Sequence, residues 1–209
     1  MGGVNKLKQF LLLDLFFLFL CCLGIYQIKG KVGLPFTLES SQNNLIISKN
    51  NNSNSSIRDG DIFLSINNFA FTSSEEVEVL LDGKKQGEQV TIRYKRSGLI
   101  LTDEIILDNY YTILDLVTYS FSGILFLSVG LITVIRSNQK KAALLFYCGC
   151  SGAALIITMT PSSYVIFPEI ISFLTRYIFH LAYSLTPVIF VHFILNFPNE
   201  REQNTPKLL

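Results

Sequence analysis

Four long blocks of apolar residues set the first limit on how this chain folds. They cover residues 10–28, 113–135, 142–159 and 170–197. A helix needs about 20 apolar residues to cross the roughly 30 Å hydrocarbon layer of a bilayer, and each block approaches or exceeds that length. Only 16% of the residues are charged, whereas soluble domains carry about 25%. The sequence therefore predicts a multi-pass membrane protein with about four transmembrane helices in a lipid bilayer.

The first apolar block could be an uncleaved anchor or a cleaved signal peptide. Lys6 and Lys8 precede it, as they would in either case. The block is longer than the roughly 7–15 apolar residues of a signal peptide, and residues 22–24 resemble a cleavage site only weakly. We therefore expect a cytoplasmic N-terminus at residues 1–9 and an anchor that remains in the protein.

Residues 32–108 carry most of the charge and predict a small folded domain outside the lipid. They contain seven Lys and Arg against eleven Asp and Glu, a net charge of −4. A nucleic-acid partner is not expected, because nucleic-acid binding requires a basic surface. The four cysteines all lie in the apolar blocks, where we interpret them as packing residues (Cys21, Cys22, Cys148 and Cys150).

The local patterns of this polar region predict a mixed α+β domain. The stretches "PFTL", "NNLIIS", "QVTIRYKR" and "GLILTDEIIL" predict strands, the last two joined by a turn at residues 97–98, and the Asn/Ser tract at residues 50–56 predicts a loop. A further half-buried strand is predicted at residues 62–67. Its apolar face contains Ile62, Leu64 and Ile66, which alternate with Phe63, Ser65 and Asn67.

A short helix is predicted after this strand. Ser73 and Glu76 have the spacing of a capping box, and Gly83 can end the helix. Val77, Leu80 and Leu81 follow the i, i+3, i+4 spacing of a buried helix face.

Asp59 and Asp61 flank Gly60 and could be either a catalytic carboxylate pair or a turn. A catalytic pair needs a pocket and a third partner, and the sequence shows neither. We expect a structural turn, in which Gly60 permits the backbone conformation and Asp61 accepts backbone hydrogen bonds.

The order of these elements, with the motifs between residues 56 and 98, resembles the second half of a bacterial PDZ domain. The matching positions are Ile57, Gly60, Asp61, Ile62, Ile66, Asn67, Gly87, Val90, Arg96 and Gly98. The resemblance implies a PDZ-like domain that binds an extended peptide by strand addition and holds its carboxylate in backbone N–H groups.

The same resemblance implies a peptide site formed by Gly33, Leu34, Phe36, Thr37, Val77 and Leu80. The segment "GLPF" stands where the family has its carboxylate-binding loop. It departs from the family pattern at Pro35, which removes one backbone donor. A structural or dimerising role for the domain is the alternative to peptide binding.

The fourth apolar block ends "FVHFILNFPNER", in which His192, Phe193, Phe197 and Pro198 match the close of a span in bacterial multi-pass sensors. The chain thereby resembles the N-terminal portion of competence-type quorum-sensing histidine kinases. We expect Pro198 to stop the helix and residues 198–209 to form a cytoplasmic tail.

These resemblances imply the signal-input region of a bacterial membrane sensor, acting as a homo-oligomer or with a kinase partner. The family continues into a kinase or phosphatase domain, so this chain is expected to be a truncated input region or a partner without its own output. The alternative is a non-catalytic PDZ adaptor that regulates a membrane protease. The sequence shows no catalytic or metal-binding motif, and we expect no enzyme activity, cofactor or metal.

Three ionisable residues lie within or near the apolar blocks. Asp14 follows the cytoplasmic end of the first, Asp115 begins the second, and Arg176 lies near the outer end of the fourth. Charges inside a bilayer usually pair or extend to the interface. An ion pair between Asp115 and Arg176 is one expectation, and separate extension of each side chain to the interface is the other.

The distribution of Lys and Arg predicts the orientation of the chain in a bacterial cytoplasmic (inner) membrane. Basic residues precede the first block, follow the fourth and occupy the connection at residues 136–141, but they are absent from residues 160–169. Because Lys and Arg are enriched in cytoplasmic loops, both termini are predicted to be cytoplasmic. The PDZ-like domain, between the first two transmembrane helices, is then extracytoplasmic.

This orientation can be tested with a reporter enzyme that is active only in the periplasm. Fusion after Asn68 is expected to give an active reporter, and fusion after Lys141 an inactive one. A second reporter that is active only in the cytoplasm should give the opposite pattern. Equal activity at the two positions would contradict the orientation.

Overall fold

A computed structural model of the chain describes residues 2–41, 44–49, 55–137, 140–165 and 169–203. The protein divides into two compact units. The helical unit contains Met1–Ile28, Ile113–Tyr164 and Ile170–Leu209, and the sheet unit contains Lys29–Thr112 and Val165–Glu169. Most of the predicted Asn/Ser loop, residues 50–54, lies outside the described residues.

Four long helices provide the apolar stretches that the sequence predicts. They are α1 (Gly2–Ile28), α3 (Ile113–Arg136), α4 (Lys140–Met159) and α5 (Glu169–Gln203), with one 3-10 turn at Pro161–Tyr164. Their apolar stretches of 20 to 29 residues have mean hydropathies between 1.8 and 2.2. At 1.5 Å per residue, each is long enough to cross a bilayer, which confirms the prediction of four such helices.

The prediction that Pro198 ends the last helix is wrong, because α5 continues to Gln203. A proline removes one backbone hydrogen bond and strains the preceding turn, but a helix with support on both sides can continue through it. Pro187 lies in the interior of the same helix.

Helix α4 is the central helix of the helical unit. Of its apolar stretch, 61% is buried, compared with 28% in α1, 17% in α3 and 11% in α5. One cluster of buried side chains joins all four helices: Leu20, Cys21, Leu127, Ala154, Leu155, Met159 and Ala182.

Glycines allow the neighbouring helices to approach α4 closely. A Cβ added to Gly123 on α3 would lie 2.7 Å from Thr158 Cγ2, and one added to Gly152 on α4 would lie 2.0 Å from Thr186 Oγ1 on α5. Such contacts replace the hydrophobic driving force that lipid cannot provide between helices. Gly123 and Gly152 are therefore packing positions between helices.

Replacing Gly152 by Ala should force α4 and α5 apart and lower the stability of the helical unit by about 1–3 kcal/mol, as overpacking does. Thr186→Ala removes the obstructing oxygen, so it should restore part of the loss in the double variant. The free energy of unfolding in a detergent titration measures both effects. Additive losses in the double variant would show that the clash is not the cause.

The sheet unit contains a five-strand antiparallel path in the order β2-β3-β4-β6-β7, with β5 paired to β4. The strands are β2 (Thr37–Ser41), β3 (Asn44–Ser48), β4 (Ile62–Ile66), β5 (Phe69–Ala70), β6 (Gln89–Arg96) and β7 (Leu99–Ile106). Helix α2 (Ser74–Leu81) lies between β5 and β6 in the chain. The region is therefore of mixed α and β structure, as predicted.

A separate two-stranded ribbon joins the two ends of this unit. It pairs β1 (Val32–Gly33) with β8 (Asp108–Asn109) in antiparallel orientation. The N–H of Tyr110 also donates a hydrogen bond to the carbonyl of Lys31, at 2.9 Å. The segments that enter and leave the unit are consequently held side by side.

Strand β4 exists, but its side chains do not alternate as predicted. Phe63, Ser65 and Ile66 are buried, whereas Ile62 and Leu64 are only partly buried. The register between β4 and β6 shifts between Phe63 and Ser65. An extra residue at a β-bulge reverses the alternation beyond it, which brings Ile66 to the buried side.

The predicted turn at Ser97 and Gly98 is confirmed as a two-residue hairpin between β6 and β7. Both residues have positive φ angles, 49° and 87°. A type I′ turn requires this backbone conformation at both central positions, and it matches the twist of the flanking strands.

Candidate functional site

An open groove of about 170 Å³ lies between helix α2 and strand β2 in the sheet unit. It is lined from four directions: by β1 and the loop after it, by β2, by α2, and by the residue that follows β8. The lining residues are Val32, Gly33, Leu34, Phe36, Thr37, Leu38, Ser74, Val77, Glu78, Leu81 and Tyr110.

The backbone of β2 is available along this groove, because β2 is an edge strand of the sheet. Its Leu38 pairs with Ile47 on β3. The N–H of Ile47 donates to the carbonyl of Asp61 at 2.9 Å, and the carbonyl of Ile47 accepts from the N–H of Gly60 at 2.8 Å. These bonds point towards β4. In an antiparallel pair, the backbone groups of Leu38 must then point away from β3, towards the open edge.

Caps at both ends and two buried side chains hold α2 beside the groove. Ser73 Oγ accepts a hydrogen bond from the N–H of Glu76, and Glu76 Oε2 accepts one from the N–H of Thr72 at 2.8 Å. Val77 and Leu81 are each only 2% exposed and anchor the helix in the core. The predicted helix is therefore present, and Ser73 is its N-cap. The Glu76 carboxylate accepts its hydrogen bond from Thr72, the residue before the cap.

Lys31, Glu78 and Tyr110 form a compact polar cluster at the groove. Lys31 Nζ lies 2.8 Å from Glu78 Oε2 and 4.5 Å from the centroid of the Tyr110 ring. The Tyr110 hydroxyl donates to Glu78 Oε1 at 3.3 Å. The Lys31 side chain is only 3% exposed, so its charge is compensated inside the protein by the carboxylate and the aromatic face.

The structure places five of the six predicted peptide-site residues in this one groove: Gly33, Leu34, Phe36, Thr37 and Val77. The sixth, Leu80, is half-buried and packs against the core of the sheet unit. Leu81, one position further along α2, lines the groove in its place. Val77 and Leu81 thus belong to the core and also form the groove floor, whereas Leu80 packs at the edge of the core.

The strand predicted as "PFTL" begins two residues late, at Thr37, and extends to Ser41. Pro35 precedes it and has no N–H to donate, which is consistent with a strand that starts after the proline. The segment from Leu34 to Phe36 therefore forms a loop along the groove.

Sequence reasoning missed Glu78 and Tyr110, which line the groove, and Lys31, which pairs with Glu78. Glu78 follows Ser74 by four positions and shares its helix face, but the sequence marks neither of them as a site residue. Lys31 and Tyr110 are 79 positions apart in the chain, and only the pairing of β1 with β8 brings them together. No local sequence pattern indicates that the two strands pair.

The turn at Gly60 and Asp61 is held by a bidentate ion pair with Arg96 outside the groove. Asp61 Oδ2 accepts from the N–H of Arg58 at 2.7 Å, and the Arg96 guanidinium donates to Asp61 Oδ1 at 2.8 Å and to Oδ2 at 2.6 Å. Burial of the carboxyl alone would raise its pKa, but the hydrogen bonds from Arg96 and Arg58 outweigh burial and hold the pKa of Asp61 below its ordinary value. Gly60 has a φ of 90°.

The other expected pair, Asp115 with Arg176, stays a prediction. Asp115 lies in the first turn of α3, and Arg176 lies on α5 with an exposed side chain.

Replacing Asp61 by Asn should destabilise the sheet unit by about 2 kcal/mol, because charge-assisted hydrogen bonds to a buried acceptor are lost. Amide hydrogen exchange in β4 and β6 measures this loss in the full chain, where it corresponds to roughly 30-fold faster exchange. Asp59→Asn, at an exposed neighbouring position, should have a much smaller effect, because its side chain remains in water. Equal effects of the two variants would contradict the role of Asp61.

The same ion pair predicts a pH dependence. The pKa of Asp61 is lowered in the folded protein, so its stabilisation is complete above the ordinary value of 3.8. The stabilisation decreases as the pH falls from the ordinary value to the lower folded value, because in this range the unfolded state binds a proton and the folded state does not. Below the folded value it is lost. The difference in exchange between the unmodified protein and Asp61→Asn should therefore shrink below about pH 4.

Comparison with known proteins gives no precedent for this site: the chain matches no protein-family model and no curated protein. The candidate site therefore rests on the geometry of the sheet unit. That geometry combines an open strand edge, an apolar floor and a paired cation in one groove.

Proposed function

We propose that this chain is the signal-input region of a bacterial membrane sensor. In this proposal the sheet unit is a PDZ-like domain on the outer side of the cytoplasmic membrane, and it binds an extended peptide or protein segment. The observation that carries the proposal is the groove between α2 and the open edge of β2, because a helix beside an edge strand is the arrangement used for strand addition.

The arrangement of elements supports the PDZ-like assignment. The turn at Gly60 and Asp61, the strand β4, the helix α2 and the hairpin β6–β7 occur in the order of the family pattern. Arg96, a position of that pattern, pairs with Asp61 and so links the hairpin to the turn.

The proposed ligand adds to β2 as a further strand. The outward N–H and C=O of Leu38 bond to its backbone, and its side chains enter the apolar floor formed by Phe36, Val77 and Leu81. Pro35 provides no backbone donor, and Lys31 is already paired with Glu78. The groove therefore relies on strand addition and apolar contact more than on capture of a terminal carboxylate.

The proposed signal starts at the segments that connect the sheet unit to the apolar helices. Val32 and Gly33 line the groove and belong to β1, which pairs with β8. The chain continues from β1 back to α1 and from β8 on to α3. A ligand that favours one geometry of this ribbon would shift the balance between two states of the protein by its difference in affinity for them.

Binding can be tested with the full chain in lipid nanodiscs and a library of random peptides displayed both internally and at free C-termini. Ser74→Trp should fill the groove and weaken binding of any selected peptide by roughly tenfold or more, or about 1.4 kcal/mol. Glu75→Trp, at the adjacent exposed position, is the matched control and should bind normally. Because the sequence contains no tryptophan, each variant also carries a single fluorescent reporter.

Two results would contradict the proposal. If the folded protein selects no peptide, the proposed peptide binding is wrong. Selection of peptides whose affinity is the same in Ser74→Trp and Glu75→Trp would place binding outside the groove.

A further inference from the structure

Three residues on one face of α1 surround a tyrosine of α4 inside the helical unit. Phe10, Asp14 and Phe17 are spaced i, i+4, i+7 and therefore share a helix face. The rings of Phe10 and Phe17 both meet the Tyr147 ring edge-on, with centroids 5.7 Å and 6.4 Å away. Asp14 lies between the two phenylalanines in the chain, and its carboxyl is close to the Tyr147 side chain.

Both polar groups at this contact are without a hydrogen-bond partner among the described residues. Tyr147 is fully buried, and its hydroxyl and Asp14 Oδ1 are both inaccessible atoms that make no hydrogen bond. Buried polar atoms are nearly always satisfied in native proteins, and an unsatisfied pair facing each other needs an explanation.

Among the described side chains, none forms an ion pair with the Asp14 carboxylate. Asp14 lies seven residues after Leu7, where the apolar stretch of α1 begins, so it is about 10 Å from that end. The titratable groups nearest to it are Tyr147 and Cys21, and Cys148 is next to Tyr147. The charged and titratable side chains towards the ends of these helices are exposed: Lys8, Arg136, Lys140, Lys141 and His192.

We propose that Asp14 is a proton-binding site in the α1–α4 interface. At neutral pH its carboxyl is neutral, and its O–H donates a hydrogen bond to the Tyr147 hydroxyl oxygen. Either protonation state can bond to Tyr147, but a negative charge in the hydrocarbon layer is expensive without a cation, whereas the neutral acid makes the bond without placing a charge there. Intramembrane carboxyl groups are often functional for this reason.

This site makes the packing of α1 on α4 sensitive to pH. The folded helical unit binds one proton more than the unfolded chain, so its stability falls as the pH rises and the proton leaves. Loss of the proton reverses the hydrogen bond, so that the Tyr147 O–H donates to the carboxylate, and it places a negative charge between the Phe10 and Phe17 rings. The inference concerns the helical unit alone and does not depend on peptide binding.

Infrared spectroscopy of the full chain in nanodiscs, with ¹³C-labelled aspartate carboxyls, tests the protonation directly. At pH 7 we expect one C=O band of a protonated aspartic acid, which disappears reversibly at alkaline pH. The band should be lost in Asp14→Asn and in Asp14→Glu, and retained in the exposed control Asp59→Asn. Tyr147→Phe should keep the band but shift its frequency, because the hydrogen-bond acceptor is gone.

Absence of a protonated band at pH 7 would overturn the proposal, as would a band that survives both substitutions of Asp14. A band that Tyr147→Phe leaves unshifted would exclude the hydrogen bond between these side chains. The unmodified protein and Tyr147→Phe decide the question even if the Asp14 variants fail to fold, because the band and its shift are both observed in the presence of Asp14.

Discussion

Hydrocarbon offers no hydrogen-bond partner, and the four long helices of the protein are apolar and long enough to meet that constraint. Every backbone N–H and C=O in an apolar layer must be satisfied within the chain, which a helix achieves segment by segment. The hydroxyl side chains in these helices follow the same rule. Thr118, Ser120, Thr133, Ser151 and Thr158 each donate to the carbonyl four residues earlier in their own helix.

A few polar side chains instead connect different helices, and these contacts are specific. The amide of Gln27 on α1 donates to Ser172 Oγ at 2.6 Å and accepts from Thr175 Oγ1 at 2.6 Å, both on α5. All three residues are buried. Because a polar group that loses its partner in an apolar environment is costly, such bonds fix the register of one helix on another. Asp14 and Tyr147 differ from this pattern, since they face each other without a bond.

Much of the architecture follows from the sequence, because its strongest patterns are local. The apolar blocks predict the four long helices from length alone, and the Ser97-Gly98 and Ser73–Glu76 signals predict a hairpin and a helix start. These patterns work because turns and caps depend on residues only a few positions apart. The continuation of α5 past Pro198 and the bulge in β4 escape prediction, because neighbouring structure outweighs a local preference.

The candidate groove is predictable only in part, for a related reason. Gly33, Phe36 and Val77 follow from the resemblance of the sequence to a known pattern. The polar cluster of Lys31 and Tyr110 depends on two ends of the sheet unit meeting in space, and the chain between them contains every other strand of the unit. Long-range pairing of this kind is set by the whole fold.

The β1–β8 ribbon also has a consequence for how such a protein can evolve. Adjacent antiparallel strands lie about 5 Å apart, so the sheet unit begins and ends at nearly the same point. A unit of this kind behaves as an insertion in a loop, and it can be exchanged for another without lengthening or shortening the connection between α1 and α3. The groove and the long helices can therefore change independently during evolution. The β1–β8 ribbon is the place at which one sheet unit can be replaced by another.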